Sequence, residues 1–343
     1  MSFKIAISGL NATDNPAPGI PIAKSLKDNY ELVGLSYDPN EPGNYLGIIK
    51  KTYLMPYPSL GIDELKARLI EIKEDENISA IIPNLDAELP LYIKYQDEIE
   101  ALGIKLYLPS LKNFELRNKN KLDKLSKELN IIYPKTYEVS SVEDLKRVAK
   151  DVEYPIMVKG NYYKAYKAYN FDSAVEYFYK ISNEWGFPIL IQEVVSGQEL
   201  NLVGVSDENG ELKGAVAIKK LTTTDIGKIW TGITIKNEQL IKIAKDFTAH
   251  TKWKGPFELE CIVNNDDIYL IEINPRFPAW VYFATGVGIN LPEIVVKLMK
   301  NEVVEKNFDY PCGKMYVRFT DEVITDFTDF TKLMSSKKLI KDN

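Results

Sequence analysis

Apolar and polar positions alternate over 257–263 and again over 268–273, and Asn264-Asn265-Asp266-Asp267 lies between the two runs. Two period-two runs around a polar turn predict a β-hairpin. Folding it about that turn brings Glu260 close to Glu272. Asn274 is two residues past Glu272, so it points to the same face. Upstream, the apolar run 3–8, the loop 9–19, a helix from about 20 to 27 and a strand over 31–37 make a βαβ start, which implies a parallel sheet. Runs 80–83 and 105–108 read as further strands. Positions 113–129 are polar with leucines at 116, 122, 125 and 129, an amphipathic helical stretch. Strands follow at 154–159 and 188–194. A hairpin joins 201–205 to 212–220 around Asp207-Glu208-Asn209-Gly210. Positions 241–251 and 291–299 read as helices and 315–319 as a strand. The Lys-rich tail from Ser335 is expected to fray.

The 343 residues and 45% hydrophobic content suffice for two or three small domains or one large α/β enzyme. The net charge of −6 argues against a nucleic-acid or anionic-membrane binder, which needs a basic surface. Two cysteines, Cys261 and Cys312, make no disulfide framework and suit a reducing compartment. No signal peptide and no apolar segment of membrane-spanning length are evident. The expected location is cytoplasmic. His250 is the one histidine, which disfavours classical triads and His-rich zinc sites. Chemistry is left to carboxylates, Lys, Arg and metal.

Two carboxylates and an amide oxygen converging from Glu260, Glu272 and Asn274 suit a hard divalent cation, with phosphate oxygens completing its shell. Pro275 ends the strand because it cannot donate to the ladder. Arg276 adds a fixed cation beside a metal–phosphate site. Glu260, Glu272, Asn274, Pro275 and Arg276 resemble the metal-binding hairpin of the ATP-grasp superfamily. The twelve-residue spacing of the two glutamates is similar to the carbamoyl-phosphate-synthase-like branch of the carboxylate–amine ligases.

The resemblance implies an α/β entry domain with a parallel sheet, followed by two α+β lobes that grip ATP. Its boundaries are 1–112 for the entry domain, 113–195 for the nucleotide-binding lobe, 196–310 for the lobe with the metal site and 311–343 for a C-terminal extension. The Lys after Asn118 takes a phosphate-contacting position, which gives Lys119, or Lys121 if the register slips. Lys159 ends an apolar strand, where burial lowers a lysine's pKa unless an anion compensates; the resemblance assigns it the α- and β-phosphates. Gln192, Glu193 and Val195 fall on the adenine hinge and Glu199 on the ribose position. One of Lys219, Lys220 and Lys228 is expected at the γ-phosphate, and Lys220 is taken as that residue. The segment 160–169 departs from the family's glycine-rich lid, with one glycine, four tyrosines and two lysines, Lys164 and Lys167.

In the entry half, the first loop lacks the G-x-G-x-x-G spacing of dinucleotide folds. Asn11, Asp14, Asp86 and Glu88 lie in loops past strand ends, and Asp86 and Glu88 are candidates for recognising an amine. Trp280 and Tyr282 are candidates to line an apolar pocket. Arg318 is a candidate to face the site. His250 is given no role.

The implied function is ATP-dependent carboxylate–amine ligation through an acyl phosphate, with Mg²⁺ (or Mn²⁺) as cofactor, two ions being expected. Arg276 and Lys220 stand as the catalytic cations. The partners are a small carboxylate and an amine, with no nucleic acid and no membrane, and a homodimer is left open. Two alternatives remain. One is an ATP-binding regulatory protein that lost turnover, the other an enzyme phosphorylating bicarbonate or carbamate.

Overall fold

The computed structural model describes residues 3–13, 15–160, 164–225 and 227–341. The chain divides into two compact units. One holds Met1–Leu111, Leu202–Glu258 and Asn274–Asn343, the other Lys112–Asn201 and Leu259–Ile273. Asp14 and the lid residues 161–163 lie outside the described residues.

In the first unit the apolar runs form a five-stranded sheet. Strands β1 (Lys4–Ser8), β2 (Glu31–Ser36), β3 (Lys51–Leu54) and β4 (Ala80–Ile82) pair in parallel, in the order β3-β2-β1-β4. The helix Gly19–Leu26 follows β1 and buries Ile22, Ala23 and Leu26 in the core. The expected strand at 105–108 is a single bridge, Ala80↔Lys105. The same core takes in Phe277, Trp280, Val281 and the helix Leu291–Met299. Ser25 and Thr285 hydroxyls meet at 2.8 Å, which ties the first helix to the segment after Asn274.

The tail corrects an expectation. Instead of fraying, it forms β15 (Lys338–Ile340), antiparallel to β3, with Leu339 buried. Leu339 alternates inward between Lys338 and Ile340, and burying it against β3 repays the ordering of a short terminal strand.

The second unit is built on β5 (Thr136–Val139), β6 (Ile156–Gly160), β7 (Ala165–Ala168) and β8 (Ile189–Glu193), in the order β5-β8-β6-β7. Helices Val142–Val148 and Phe171–Trp185 cover one face, where Val139, Ile156, Val158, Ala168 and Ile191 pack with Leu145, Phe178 and Ile181. The amphipathic stretch at 113–129 breaks after Asn118, and the helix proper is Lys119–Glu128.

A six-stranded sheet runs β13-β12-β9-β10-β11-β14. Its strands are β9 (Gln198–Ser206), β10 (Leu212–Thr223), β11 (Ile229–Ile235), β12 (Gly255–Asn264), β13 (Asp267–Asn274) and β14 (Met315–Val317). The expected hairpin is thus β12–β13. The division between the units passes through β9, β12 and β13. Among the described residues, no helix is long and apolar enough to cross a membrane.

Candidate functional site

In the second unit, β-sheet parity decides which side chains meet. Lys159 pairs with Leu190 and Ala165, and Gln192 pairs with Met157 and Thr136. Antiparallel partners share a face, so these residues lie on the face opposite the two helices. Lys159 is 7% exposed and donates to Gln192 Oε1 at 2.5 Å. Gln192 in turn donates to Thr136 Oγ1 at 2.8 Å. The Lys159 ammonium is brought down to about 8, chiefly by burial and next by the Lys119 charge. Glu272 and Glu260 act in the opposite direction. Lys119, Glu260 and Glu272 therefore each lie within electrostatic reach of Lys159.

Lys119 is itself buried, whereas Lys121 pairs at the surface with Glu115 at 2.7 Å. Tyr133 donates its hydroxyl to Lys119 O at 2.9 Å. Burial raises its phenol, and Glu272 raises it further. The strand carrying Glu272 is tied to this unit by Leu270 N–H donating to Ile132 O at 2.9 Å. Gly197 allows a close approach to β12: a Cβ there would sit 2.4 Å from Val263 O.

The first unit carries a second cluster. Asn274 donates Nδ2–H to Glu258 Oε2 at 3.0 Å, and Trp280 donates Nε1–H to Glu258 Oε1 at 2.8 Å. Arg276 donates through Nε and Nη2 to Asp86 Oδ2, at 3.3 and 3.0 Å, and through Nη1 to Phe277 O at 3.2 Å. Arg318 donates Nη2–H to Ala279 O at 3.1 Å. On β10, Lys219 pairs with Ile233 and Lys220 with Gly232, so they face opposite sides. Lys220 shares the face of buried Ile218.

Among the described residues no three His, Cys, Asp or Glu side chains cluster as a metal site. The donor set fits a metal that shares its shell with phosphate. In the second unit Glu260 and Glu272 are carboxylates of the type a hard cation takes, and Lys119 and Lys159 are buried cations suited to a polyphosphate.

Comparison with known proteins bears on this arrangement. Residues 187–321 match the family described as "ATP-grasp in the biosynthetic pathway with Ter operon". The carbamoyl phosphate synthase large chain of Clostridium acetobutylicum is 24% identical over 284 residues, 79% of this chain and 26% of that one. The chain thus spans about a quarter of the length of such relatives. The L-amino acid ligase of Bacillus licheniformis superposes with a TM-score of 0.66 at 16% identity, covering 87% of this chain and 74% of that one. The biotin carboxylase domain of 2-oxoglutarate carboxylase from Hydrogenobacter thermophilus, solved with MgADP and bicarbonate, gives 0.68 at 15% identity over 89% and 72%.

The fold is ATP-grasp. The ATP-grasp resemblance read from Glu260, Glu272, Asn274, Pro275 and Arg276 therefore stands. The structure gives the partners of the expected hinge residues. Gln192 turns its side chain to Lys159 and Thr136, and Glu193 N–H donates to Lys135 O at 3.0 Å, so both are engaged within the ATP-grasp sheet. Glu193 Oε1 also accepts from Lys135 N at 2.9 Å. Val195 is half-buried and Glu199 exposed in the stretch after β8.

Glu88 does not await an amine. It is buried and accepts from Ser8 Oγ, from Tyr37 Oη at 2.6 Å, and from the N–H groups of Asn84 and Leu85 at 2.8 and 3.0 Å. Asp86 is committed to Arg276. Trp280 is core-packed and bound to Glu258, while Tyr282 is exposed, with Lys24 Nζ 5.9 Å from its ring centroid.

Sequence reading missed Glu258, Tyr133 and Thr136. Glu258 shares the parity of Glu260 along β12, which is the signal that would have found it. Tyr133 and Thr136 lack one, because they reach the cluster only through the sheet pairing.

Proposed function

We propose that this chain is an ATP-dependent carboxylate–amine ligase that forms an amide or peptide-like bond through an acyl phosphate. The burial of Lys119 and Lys159, with Glu260 and Glu272 within electrostatic reach of Lys159, supports the reading. Two buried ammonium groups that act on each other are costly unless an anion offsets them, and a nucleotide polyphosphate would do so.

In this reading Lys119 and Lys159 hold the phosphate chain. Glu260, Glu272 and Asn274 would hold Mg²⁺ (or Mn²⁺), with two ions expected, and the metal would supply neutralisation of phosphate charge. The substrate carboxylate attacks the γ-phosphorus and the bond to ADP breaks. Arg276, held by Asp86, and Lys220 bind the developing anion. The amine then adds to the acyl carbon and phosphate departs, the amine proton passing to solvent. Glu193, Val195 and Glu199 bind the adenine and ribose end. Positioning and electrostatics do the chemistry, so no Ser, Cys or His nucleophile is needed.

Phosphate release from ATP and Mg²⁺ against pooled amino acids and small carboxylates tests the proposal, with Glu272→Gln as control. Release that needs both an acid and an amine supports it. Tight nucleotide binding without stimulated release rejects it in favour of a regulatory protein. A second reading, phosphorylation of bicarbonate or carbamate, draws on the carbamoyl phosphate synthase relatives. Turnover that requires bicarbonate alone selects it.

A further inference from the structure

Strand β14 lies at the edge of the six-stranded sheet, paired on one side with β11 in the register Thr231↔Val317, Gly232↔Tyr316 and Ile233↔Met315. Arg318 N–H donates to Trp230 O and Thr234 N–H to Lys314 O, each at 2.9 Å. The backbone groups of 314, 316 and 318 therefore face β11, and those of Met315, Val317 and Phe319 face outward. Side chains alternate too. Tyr316 packs on Phe283 with ring centroids 5.5 Å apart, and Arg318 reaches Ala279 O. Met315, Val317 and Phe319 turn to the other face and are 58%, 57% and 73% exposed. An open edge with an apolar row is what proteins usually blunt with Lys, Pro or a covering element. The outward positions here carry neither Lys nor Pro.

We propose that β14 is a homodimer interface, pairing antiparallel with β14 of a second copy about a twofold axis at Val317. The register follows from parity. Hydrogen-bonded partners must both present outward backbone groups and must share a face. With Val317 opposite Val317, Met315 of each copy meets Phe319 of the other, and both conditions hold. A one-residue slip sets Val317 against inward-turned Tyr316. A two-residue slip sets either Lys314 against Arg318 or Met315 against Asp321. A row that is self-complementary under a twofold fits a second copy, since closed symmetric pairs use the same patch on both subunits. Strand backbone and the three side chains bury roughly 500 Å² per partner, less than the ~800 Å² of a standard interface, so the dimer is a reversible one. Ile324 and Phe327, 99% and 75% exposed farther along the same stretch, offer more apolar area. The inference does not rest on the proposed catalysis.

Sedimentation velocity of the full chain from about 1 to about 200 µM tests it, because mass action makes a reversible dimer concentration-dependent. The wild type is expected to move from monomer to dimer. Val317→Lys sets two ammonium groups opposite each other on the twofold and is expected to sediment as a monomer throughout, with nucleotide binding unchanged. Phe319→Asp gives an independent second variant with the same expectation. Val317→Cys in a Cys312→Ser background is expected to couple to a covalent dimer with a short bismaleimide, while Leu60→Cys, also at an exposed position, does not couple. A wild type that stays monomeric overturns the proposal and leaves the edge to another partner. A dimer that survives both substitutions and does not couple through position 317 overturns it as well.

Discussion

Asn274 donates its amide N–H to the buried Glu258 carboxylate at 3.0 Å. That bond sets the orientation of the amide and leaves Oδ1 toward Arg276, whose Nη2 stands 3.5 Å away. The second Glu258 oxygen is taken by Trp280. Under the proposed function, which gives Asn274 to the metal, Glu258 is a positioning residue for that amide. Glu258→Gln replaces one acceptor oxygen with an N–H₂ group. Loss of an outer-shell partner typically costs 10–100-fold in metal affinity or activity. The expected result is about a 30-fold weaker Mg²⁺ requirement constant, read from turnover against Mg²⁺ concentration. Melting temperature and Trp fluorescence of the variant separate this from unfolding.

Lys159 titrates near 8 without nucleotide because burial and Lys119 disfavour its charge. A bound polyphosphate favours that charge, so it raises the pKa. Binding at pH 8.5–9 therefore takes up a proton, and affinity falls as pH rises past about 8. Calorimetry in buffers of different ionisation enthalpy measures the uptake. Lys159→Met is expected to abolish both the proton uptake and the pH dependence. The stability of the free protein runs the other way. The folded pKa lies below the unfolded value of 10.5, so the unfolded chain binds more protons between about 8 and 10.5, and Lys159's contribution to stability rises with pH across that window.

Asp86 and Arg276 form a half-buried pair at 3.0 Å. Asp86→Asn removes the Asp86 charge from beside the guanidinium and keeps one acceptor. We expect kcat to fall about tenfold with little change in the KM for ATP, because the proposed function sets Arg276 at the acyl end and not at the nucleotide. Steady-state kinetics against ATP and against the carboxylate check this. Stability is expected to fall by about 2 kcal/mol in urea unfolding.

Gly197 has no room for a side chain, with Val263 O at 2.4 Å and Ile262 Cγ2 at 2.8 Å from where a Cβ would sit. Gly197→Ala must push β12 away or strain the stretch before β9. The expected cost is about 2 kcal/mol in denaturant unfolding. Glu260 lies on the displaced strand, so the Lys159 pKa is expected to fall along with nucleotide affinity.

The hairpin was legible because its two runs have strict period two and its polar residues are of metal-binding type. The entry sheet was legible because parallel, doubly buried strands read as continuous apolar runs, as over Lys4–Ser8 and Glu31–Ser36. Glu88 was misread because a carboxylate in a loop looks the same whether it faces a ligand or collects four internal donors. Its donors come from β1, from the residue after β2 and from the loop after β4, and no local pattern brings these together. The terminal strand was missed for a similar reason. A short Lys-rich segment has little propensity of its own, and the β3 edge supplies its ladder.

The sequence by itself determined the local alternations, and with them the strands, the βαβ start and the placing of Glu260, Glu272 and Asn274 on one hairpin. It also carried the resemblance that the ATP-grasp fold bears out. Tertiary structure alone decided which of Lys119 and Lys121 is buried, that Gln192 serves Lys159, that Glu258 holds Asn274 and that Asp86 holds Arg276. The physical reason is range. Periodicity reports which way a side chain points from its own element, whereas burial and charge pairing depend on which other element is packed against it.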